Sequence, residues 1–450
     1  GRRLLAYEQY ERLNRAECPC SLVTGEEQFL IDGARHQSST IEMVSLKTRY
    51  EVAVIDEAQM IADRSRGGAW TAAIMGVCAD TVYVCAAPEA EQRLVEIIKD
   101  CGDEYKVVHH RRMTSLEYEE EKFIFPDDVK PGDALIVFSR RNVHAVAAQL
   151  WKKHVSCSII YGALPYDVRH KQAELFAAGK TDVVVATDAI GMSMNLHVRR
   201  VVLMETVKYD GFERRSLTYG EIRQIIGRAG RYGIYNVGYA AAADDGWKVK
   251  KAVHKRLDPI GEAVIDFPET LLTVDASILD LIKKWEQVIP AKGWCKESVE
   301  HMHRMAEMTE DLNAPKHLAY DFLTIPFEDE NGELLQIWLD IYEKEVKGKE
   351  YSIFDQAAAV VLKSPSAADA IDALEQQHRV LDLYYALARK FQPLESTLEF
   401  IMEKKRICSE RIMKALAKRG FREKRCGICG RPLPWNHPYG MCSRCWDKRM

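Results

Sequence analysis

The sequence has 450 residues, of which 47% are hydrophobic and 29% are charged. These proportions are ordinary for a folded protein with large cores, and the length suggests about three domains. No apolar run approaches the roughly 18 residues that a membrane span needs, and no signal pattern opens the chain. Composition therefore excludes an integral membrane protein and predicts a soluble intracellular one.

The net charge of -4 hides an uneven distribution. Residues 401–450 contain 14 Lys and Arg against four Asp and Glu, so this segment carries +10 and the first 400 residues carry -14. A local basic excess is typical of a nucleic-acid contact, although a solvated helix face is the alternative for part of it. Eight of the 12 cysteines are scattered, which suits a reducing compartment and argues against a disulfide framework.

Four short apolar runs, each followed by polar or small residues, predict buried strands at residues 52–55, 82–85, 135–138 and 183–186. Amphipathic segments of helical length lie between them, for example residues 143–153 and 170–178. This alternation predicts parallel sheets covered on both faces, which bind ligands at the carboxyl ends of their strands.

Residues 125–132 contain two prolines, two aspartates and a glycine, which is typical of a linker between two such sheets. From about residue 247 helical patterns dominate, as at residues 276–285 and 366–391. We therefore predict a sheet domain at 1–124, a second at 125–246, a helical accessory region at 247–400 and a basic tail at 401–450.

The run at residues 52–59 places Asp56 and Glu57 at the end of a predicted buried strand. In a nucleotide hydrolase, the first carboxylate can hold Mg²⁺ through its water shell, and the second can position or deprotonate the attacking water. Taken alone, a strand followed by Asp-Glu often occurs by chance. Two further segments support the functional interpretation.

On a helix, Gln224, Arg228 and Arg231 would share one face, because they are spaced i, i+4 and i+7. Two guanidinium groups on one stripe suit the charge of a transferring γ-phosphoryl group. Gly227 and Gly230 would let another backbone approach closely. The alternative is a surface helix with stray arginines, which two glycines within one turn would weaken without purpose.

Residues 186–196 follow the fourth predicted strand directly and include Thr187, Asp188 and Asn195. Hydroxyl, carboxyl and amide groups at a strand end can contact phosphate or ribose. They can equally cap the next helix.

The tail contains Cys426 and Cys429, then twelve residues, then Cys442 and Cys445. Two CxxC pairs supply the four thiolates of a tetrahedral zinc site, and this spacing favours structural Zn²⁺ over a redox pair. Nearby His437 is a further possible ligand that four cysteines make unnecessary. Trp435, Tyr439 and Trp446 are available for stacking on bases, or for the module's small core.

Together the segments around residues 56, 187 and 228 resemble motifs II, V and VI of superfamily two helicases. The chain is similar to the mitochondrial degradosome (Suv-three type) RNA helicases and their bacterial relatives over roughly the first 390 residues. The stretches that carry this resemblance are residues 4–6, 23–27, 40–43, 50–61, 67–70, 160–165, 258–260 and 380–384.

The resemblance implies an α/β fold with two RecA-like parallel-sheet domains, the first truncated at its N-terminus, followed by a helical region. The two CxxC pairs add a small zinc-binding tail to this architecture. It implies an ATP-dependent RNA helicase that moves 3′ to 5′, with ATP and Mg²⁺ as cofactors besides Zn²⁺. The implied catalytic residues are Asp56, Glu57, Gln59, Gln224, Arg228 and Arg231. Nucleotide contacts fall on Asp188, Gly191 and Asn195, and RNA contacts fall on Arg3, Thr24, Thr40 and Thr187.

Three departures from the family pattern matter. Ser193 stands where the family usually has Gly, and residues 85–88 lack the usual Gly-Glu pair before Pro88. No P-loop is present, because Glu174 occupies the first Gly position before Gly179-Lys180-Thr181 and this triplet precedes a strand. We therefore expect a fragment that lost its P-loop, and a chain that is inactive as given.

Two other functions remain open from the sequence. A catalytically inactive RNA-binding scaffold is favoured by the missing P-loop, and a DNA helicase is possible because motifs V and VI do not record whether a 2′-hydroxyl is sensed. The expected partners are single-stranded or partly duplex RNA and an exoribonuclease, without a membrane. We expect a bacterial cytoplasmic location, with mitochondria as the alternative, since no transit segment is visible.

Overall fold

The computed structural model describes residues 3–25, 27–192, 196, 198–209, 213–230, 234–366, 369–418, 424–437 and 439–448. The chain forms two compact units, each assembled from three separate stretches. The first unit contains Gly1–Val107, Asp258–Leu362 and Gln376–Cys408, and the second contains Val108–Leu257, Lys363–Glu375 and Ser409–Met450.

The α-helices of the described residues are α1 (Arg3–Arg15), α2 (Gly67–Gly76), α3 (Glu91–Asp100), α4 (Arg140–Lys152), α5 (Tyr166–Ala177), α6 (Tyr219–Ile226), α7 (Gly246–His254), α8 (Ile278–Gln287), α9 (Glu300–Met308), α10 (Lys316–Leu323), α11 (Gly332–Val346), α12 (Ile353–Ala359), α13 (Ala370–Phe391), α14 (Glu395–Ala417) and α15 (Ser443–Asp447). The strands are β1 (Cys20–Val23), β2 (Gln28–Phe29), β3 (His36–Ser39), β4 (Tyr50–Ile55), β5 (Ala79–Val84), β6 (Ser115–Tyr118), β7 (Asp133–Ile136), β8 (Cys157–Ile160), β9 (Val183–Ala186), β10 (Arg200–Leu203), β11 (Val207–Tyr209), β12 (Arg214–Ser216), β13 (Val237–Ala242), β14 (Ala263–Ile265) and β15 (Trp294–Lys296).

The second unit is built on a six-stranded parallel sheet in the order β6-β13-β10-β7-β9-β8. Every residue of β7, β9 and β10 is buried, as continuous apolar runs predict for a sheet covered on both faces. Helix α4 begins where Ser139 Oγ accepts a hydrogen bond from the Asn142 backbone N–H at 3.1 Å. The predicted parallel-sheet architecture is confirmed in this unit.

The first unit contains three small sheets: β2-β1-β3, the parallel pair β4-β5 and the parallel pair β14-β15. Strands β4 and β5 were expected to be buried on both faces, and this is wrong for the described residues; no residue of β5 is buried. Ile55 is buried, but Val52 and Val54 are 55% and 65% exposed. Side chains alternate between the faces of a strand, and in the described part of the chain only one face of β4 is packed.

Two predicted domain boundaries need correction. Residues 125–132 were predicted to link two sheets, but they follow β6, which belongs to the same six-stranded sheet as β7. The predicted boundary between residues 400 and 401 falls inside helix α14. The composition of the chain changes at both places, but the hydrogen-bonded elements continue across them.

Helices dominate the C-terminal part of the first unit, as predicted. Their core is aromatic: Phe322 stacks on Phe391 with ring centroids 3.9 Å apart and meets Trp338 edge-on at 5.7 Å. Such pairs stabilise a core beyond the area that they bury. No helix among the described residues combines the length and apolar character that crossing a bilayer requires.

Two glycines let helix α2 begin against the β14-β15 pair. A Cβ atom on Gly67 would lie 2.6 Å from the Ile61 carbonyl oxygen, and one on Gly68 would lie 2.6 Å from Oε2 of Glu297. The Gly68 N–H donates a hydrogen bond to that carboxylate oxygen at 3.2 Å. Burial, and after it the charge of Asp266, raises the pKa of Glu297 to about 7.

Replacing Glu297 with glutamine should stabilise the protein at high pH. A carboxyl whose pKa is higher in the folded than in the unfolded state supports folding below about pH 4.5 and loses that contribution as pH rises through 7. Allowing for solvent screening, we expect Glu297→Gln to raise stability by about 1–2 kcal/mol at pH 8 and to have little effect at pH 4.5. Thermal melting at both pH values, with the exposed Glu330→Gln as control, measures this; a pH-independent difference would contradict it.

Candidate functional site

The predicted acidic pair lies at the carboxyl end of β4. Strand β4 ends at Ile55, and Asp56 Oδ1 accepts a hydrogen bond from the Glu57 backbone N–H at 2.8 Å. Glu57 adopts a left-handed conformation with φ 56° and ψ 38°. This backbone region is uncommon for a residue with a side chain, and such strain concentrates at functional sites. The turn leaves Asp56 exposed and Glu57 partly buried.

Gln59 joins the acidic turn to the segment after β5. Its Nε2 donates a hydrogen bond to Glu57 Oε2, and its Oε1 accepts one from the Ala87 backbone N–H at 3.1 Å. The Ala58 N–H donates to the Cys85 carbonyl at 2.9 Å. Thus the structure brings the proposed motif II into contact with residues 85–88, and this atypical Cys-Ala-Ala-Pro segment makes the contact through its backbone.

The two threonines proposed for RNA contacts in the first unit follow neighbouring strands. Thr24 follows β1 and Thr40 follows β3, which pair in parallel, and the Thr40 N–H donates to the Val23 carbonyl at 3.2 Å. Both side chains are buried. The Thr24 hydroxyl donates to the Glu27 carbonyl and accepts from the Glu27 N–H, each at 2.9 Å. In this structure Thr24 therefore shapes its own turn.

Lys405, which the sequence analysis missed, is a buried cation of helix α14 that lies beside the turn of Thr24 and Glu27. Lys405 Nζ lies 3.0 Å from Asp382 Oδ1 and 3.8 Å from Glu27 Oε1, and its side chain is 4% exposed. Burial alone would raise the pKa of Asp382, but His378 and Lys405 hold that pKa below its usual range. Arg389 Nη1 also donates to the Thr24 carbonyl at 2.8 Å.

Part of the basic excess after residue 400 is therefore structural. Lys405 belongs to the buried network, and Lys404 Nζ donates to the carbonyls of Ala357, Ala358 and Val360 at 2.6–2.8 Å. These carbonyls end helix α12, where a cation is favourable. A lysine inside a basic stretch gives no sequence signal that separates such a role from a solvent-exposed one. Arg3, which the resemblance assigns to RNA contacts, is the first residue of helix α1.

The proposed motif V follows β9 in the second unit. The Thr187 hydroxyl accepts a hydrogen bond from the Ala189 N–H at 3.3 Å, which is the capping role that the sequence left open. Asp188 and Gly191 lie in the short 3₁₀ helix Asp188–Met192, and Asp188 Oδ2 is 3.6 Å from Lys208 Nζ. Asn195 and Ser193 lie outside the described residues.

The proposed motif VI departs from the predicted continuous helix. Helix α6 begins with a capping box between Thr218 and Glu221 and ends at Ile226, so Gln224 is helical and Arg228 is not. Gly230 has φ +77°, and a Cβ atom there would lie 2.8 Å from the Gly238 backbone nitrogen. The predicted close approach of another backbone is confirmed at Gly230. The predicted shared helix face is wrong, because the helix ends before Arg228. Arg231 lies outside the described residues.

Motifs V and VI are neighbours within the second unit. Ala229 forms a β-bridge with Val198, and α6 packs against the 3₁₀ helix Asp188–Met192. Arg112, which the sequence analysis did not single out, donates to the Ala229 carbonyl, and burial lowers its pKa. Arg215 and Lys208, which the sequence analysis also did not single out, lie beside Glu221. Burial alone would raise the pKa of Glu221, but hydrogen bonds from Arg215 and Lys208 hold that pKa well below its usual range.

The four tail cysteines converge as their spacing predicts. All their Sγ atoms lie within 4.8 Å of one another, and those of Cys429 and Cys442 are 3.6 Å apart. Tetrahedral Zn–S bonds of about 2.3 Å place sulfurs about 3.8 Å apart, so the group fits zinc. Backbone N–H groups of Cys429 and Cys442 lower the pKa of Cys426 to about 6, whereas the hydrogen bond with Cys429 and burial raise the pKa of Cys445 to about 12. The fit to zinc therefore rests on the positions of the sulfurs. His437 Nδ1 instead lies 2.9 Å from the Tyr439 carbonyl oxygen and 3.3 Å from the Tyr439 backbone nitrogen.

Comparisons with known proteins agree with these two motif groups. Residues 2–110 match the family model described as the DEXQ-box helicase domain of Suv3, and residues 119–233 match the helicase conserved C-terminal domain. A protein of Oryza sativa subsp. japonica named "ATP-dependent RNA helicase SUV3, mitochondrial" is 31% identical, over 94% of this chain and 75% of its own length. The Arabidopsis thaliana protein named "DExH-box ATP-dependent RNA helicase DExH16, mitochondrial" is also 31% identical, over 90% of this chain and 74% of its own.

The human protein named "ATP-dependent RNA helicase SUPV3L1, mitochondrial" is 30% identical, over 87% of this chain and 53% of its own length. The names of all three relatives specify mitochondria, so the expectation of a bacterial cytoplasmic location is contradicted. The similarity to the rice protein extends over nearly the whole chain, well beyond the two matched domains. The chain belongs to the family of Suv3-type DEXQ-box helicases.

Proposed function

We propose that this protein is the motor of an ATP-dependent RNA helicase, which couples ATP hydrolysis to 3′-to-5′ movement along RNA and to unwinding. The observation that carries the proposal is the strained acidic turn of Asp56 and Glu57 at the end of β4, in a chain of the Suv3-type family. Its relatives are named ATP-dependent RNA helicases. Parallel sheets bind ligands at this end of their strands.

In this proposal Asp56 would hold Mg²⁺ through bound water, and Glu57 would position or deprotonate the water that attacks ATP. The metal supplies charge neutralisation at the phosphates. Gln59 holds the Glu57 carboxylate in place from the β5 side. On the second unit, the phosphate contacts would come from Gln224, Arg228 and Arg231, and the ribose and neighbouring contacts from Asp188, Gly191 and Asn195.

In the first unit RNA would contact Thr40, with Arg3 as a further contact, and in the second unit it would contact Thr187. Thr24 would act by shaping its turn, because its hydroxyl already donates to one backbone group of that turn and accepts from another. The Thr187 hydroxyl accepts a single N–H and would donate its proton to an RNA phosphate. Contacts of this kind fix the RNA backbone without selecting sequence. The resemblance to degradosome helicases supports our proposal of a role in RNA turnover with an exoribonuclease as partner.

The test of this function is ATP hydrolysis with and without a P-loop. The 450 residues contain no Gly-x₄-Gly-Lys-Ser/Thr sequence, so we expect negligible ATP hydrolysis from this chain alone. A version extended by a P-loop segment should hydrolyse ATP in a Mg²⁺- and RNA-dependent manner and unwind a duplex with a 3′ single-stranded tail. If the extended protein binds RNA without turnover, a non-catalytic scaffold is correct; if DNA stimulates better than RNA, a DNA helicase is.

We also propose that residues 424–448 fold around one Zn²⁺ held by the four cysteines. So short a segment has too small a core to offset its chain entropy, so metal binding should supply most of its folding free energy. Metal analysis should find one zinc per chain, lost in Cys426→Ser/Cys429→Ser but retained in Cys101→Ser, which changes an exposed cysteine elsewhere. In the double serine variant we expect rapid proteolysis within this segment; unchanged protection and metal content would refute the zinc site.

A further inference from the structure

The structure separates the three aromatic residues of the zinc module, residues 424–448, into two groups. Trp435 is 7% exposed and meets Phe125 edge-on, with ring centroids 6.2 Å apart, so it packs the module onto its own unit. Tyr439 and Trp446 are 59% and 48% exposed, and their rings stack on one another at 5.5 Å and 24°. Only this second pair presents aromatic surface to solvent.

The exposed pair is held by the metal-binding framework. Trp446 lies in helix α15, directly after Cys445, and its N–H donates to the Cys442 carbonyl at 3.0 Å. Tyr439 precedes Gly440, whose carbonyl accepts from the Gly427 N–H at 2.8 Å within the first CxxC turn. Both rings are therefore displayed from backbone that the four cysteines fix. Leaving two large rings in water forfeits hydrophobic stabilisation, which favours a binding role for them.

The electrostatic surroundings of the pair favour a polyanion. Residues 424–448 contain five Lys and Arg residues and a single acidic one, Asp447. Lys424 is used internally, because its Nζ donates to the Trp435 and His437 carbonyls. Arg431, Arg444 and Lys448 are exposed, and the last two flank Trp446 in the chain. Aromatic faces beside basic side chains are the combination that binds single-stranded nucleic acid.

We propose that Tyr439 and Trp446 form a stacking platform for the bases of single-stranded RNA, with the exposed basic residues of the module facing its phosphates. This proposal rests on the proposed function, which supplies RNA as the substrate, and it adds the site by which the zinc module binds it. Stacking on aromatic rings tolerates any base, as a motor that moves along RNA requires. A protein partner for the same rings is the competing occupant.

The experiment measures the affinity of the 450-residue chain for a labelled 12-nucleotide single-stranded RNA and for an abasic RNA of the same length. Trp446→Ala should weaken binding of the base-bearing RNA about 5- to 100-fold and leave binding of the abasic RNA unchanged. Trp446→Phe should retain most of the affinity. Ile428→Ala, which trims another exposed apolar side chain of the module, should bind as the unchanged chain does. Zinc content, one per chain, verifies that each variant is folded.

Salt dependence separates stacking from charge. Trp446→Ala should leave the slope of affinity against salt unchanged, whereas Arg444→Gln should flatten it because fewer counterions are released. If Trp446→Ala binds both RNAs as well as the unchanged chain does, the platform is refuted and a protein partner is the better occupant. An equal loss on both RNAs would also refute stacking. If the unchanged chain binds no RNA at all, the proposed function fails instead.

Discussion

Replacing Glu57 with glutamine is expected to abolish ATP turnover in a P-loop-bearing version of this protein, while nucleotide binding persists. An amide cannot accept the proton of the attacking water, and general-base catalysis of this kind contributes about 10²- to 10⁴-fold. The substitution keeps a hydrogen-bond acceptor for Gln59 and so preserves the geometry of the turn. Steady-state hydrolysis measures turnover, and binding of a fluorescent nucleotide measures the retained affinity.

Glu51→Gln is the matched control, because Glu51 is an exposed acid on strand β4, five residues before Asp56. It should leave turnover unchanged. Unimpaired hydrolysis in Glu57→Gln would mean that another group activates water and that the acidic turn has a different role. Loss of nucleotide binding together with turnover would indicate a structural effect on the end of β4.

Replacing Arg228 with alanine should lower turnover on the order of 10³-fold or more, as removal of an arginine that stabilises a transferring phosphoryl group does. The reason is that the charge on the γ-phosphoryl group would lose a forked guanidinium partner. Arg228→Lys should recover little of this loss, since lysine offers a point charge. The same hydrolysis assay measures both variants.

Arg223→Ala serves as the control for Arg228. Arg223 is an exposed residue of α6 whose Nη1 donates to the Lys255 carbonyl at 3.0 Å. Its replacement should lower turnover only slightly, because the Arg223 guanidinium binds a backbone carbonyl and is not proposed to contact phosphate. Equal losses in the two alanine variants would show that α6 stability, rather than the guanidinium of Arg228, governs the rate.

Sequence patterns predicted two strands of the six-stranded sheet, β7 and β9, because every residue of these strands is buried. Runs such as Val183–Ala186 are continuously apolar, as is typical of a parallel strand covered on both faces. The same pattern misled at β4, where Val52 and Val54 are exposed. An apolar run indicates that a strand can be buried by other elements, but tertiary packing determines how much of the strand is buried.

The candidate site was predicted unevenly, for physical reasons. CxxC spacing dictates where four sulfurs can meet, so the cysteine cluster followed from the sequence. Helical spacing placed Gln224 and Arg228 on one face, but the positive φ of Gly230 and its contact with Gly238 depend on a strand that comes later in the chain. Lys405 carried no signal, because its partners Glu27 and Asp382 are distant in sequence.

The Lys405 network has a consequence for the order of events during synthesis. Glu27 and Lys405 lie roughly 380 residues apart, and at about 5–20 residues per second the ribosome needs about 20–75 s to make that interval. Until α14 emerges, the turn of Thr24 and Glu27 lacks its buried cation. The nascent first unit therefore has to wait for the end of the chain before this turn, which the proposed function places beside RNA, acquires its final support.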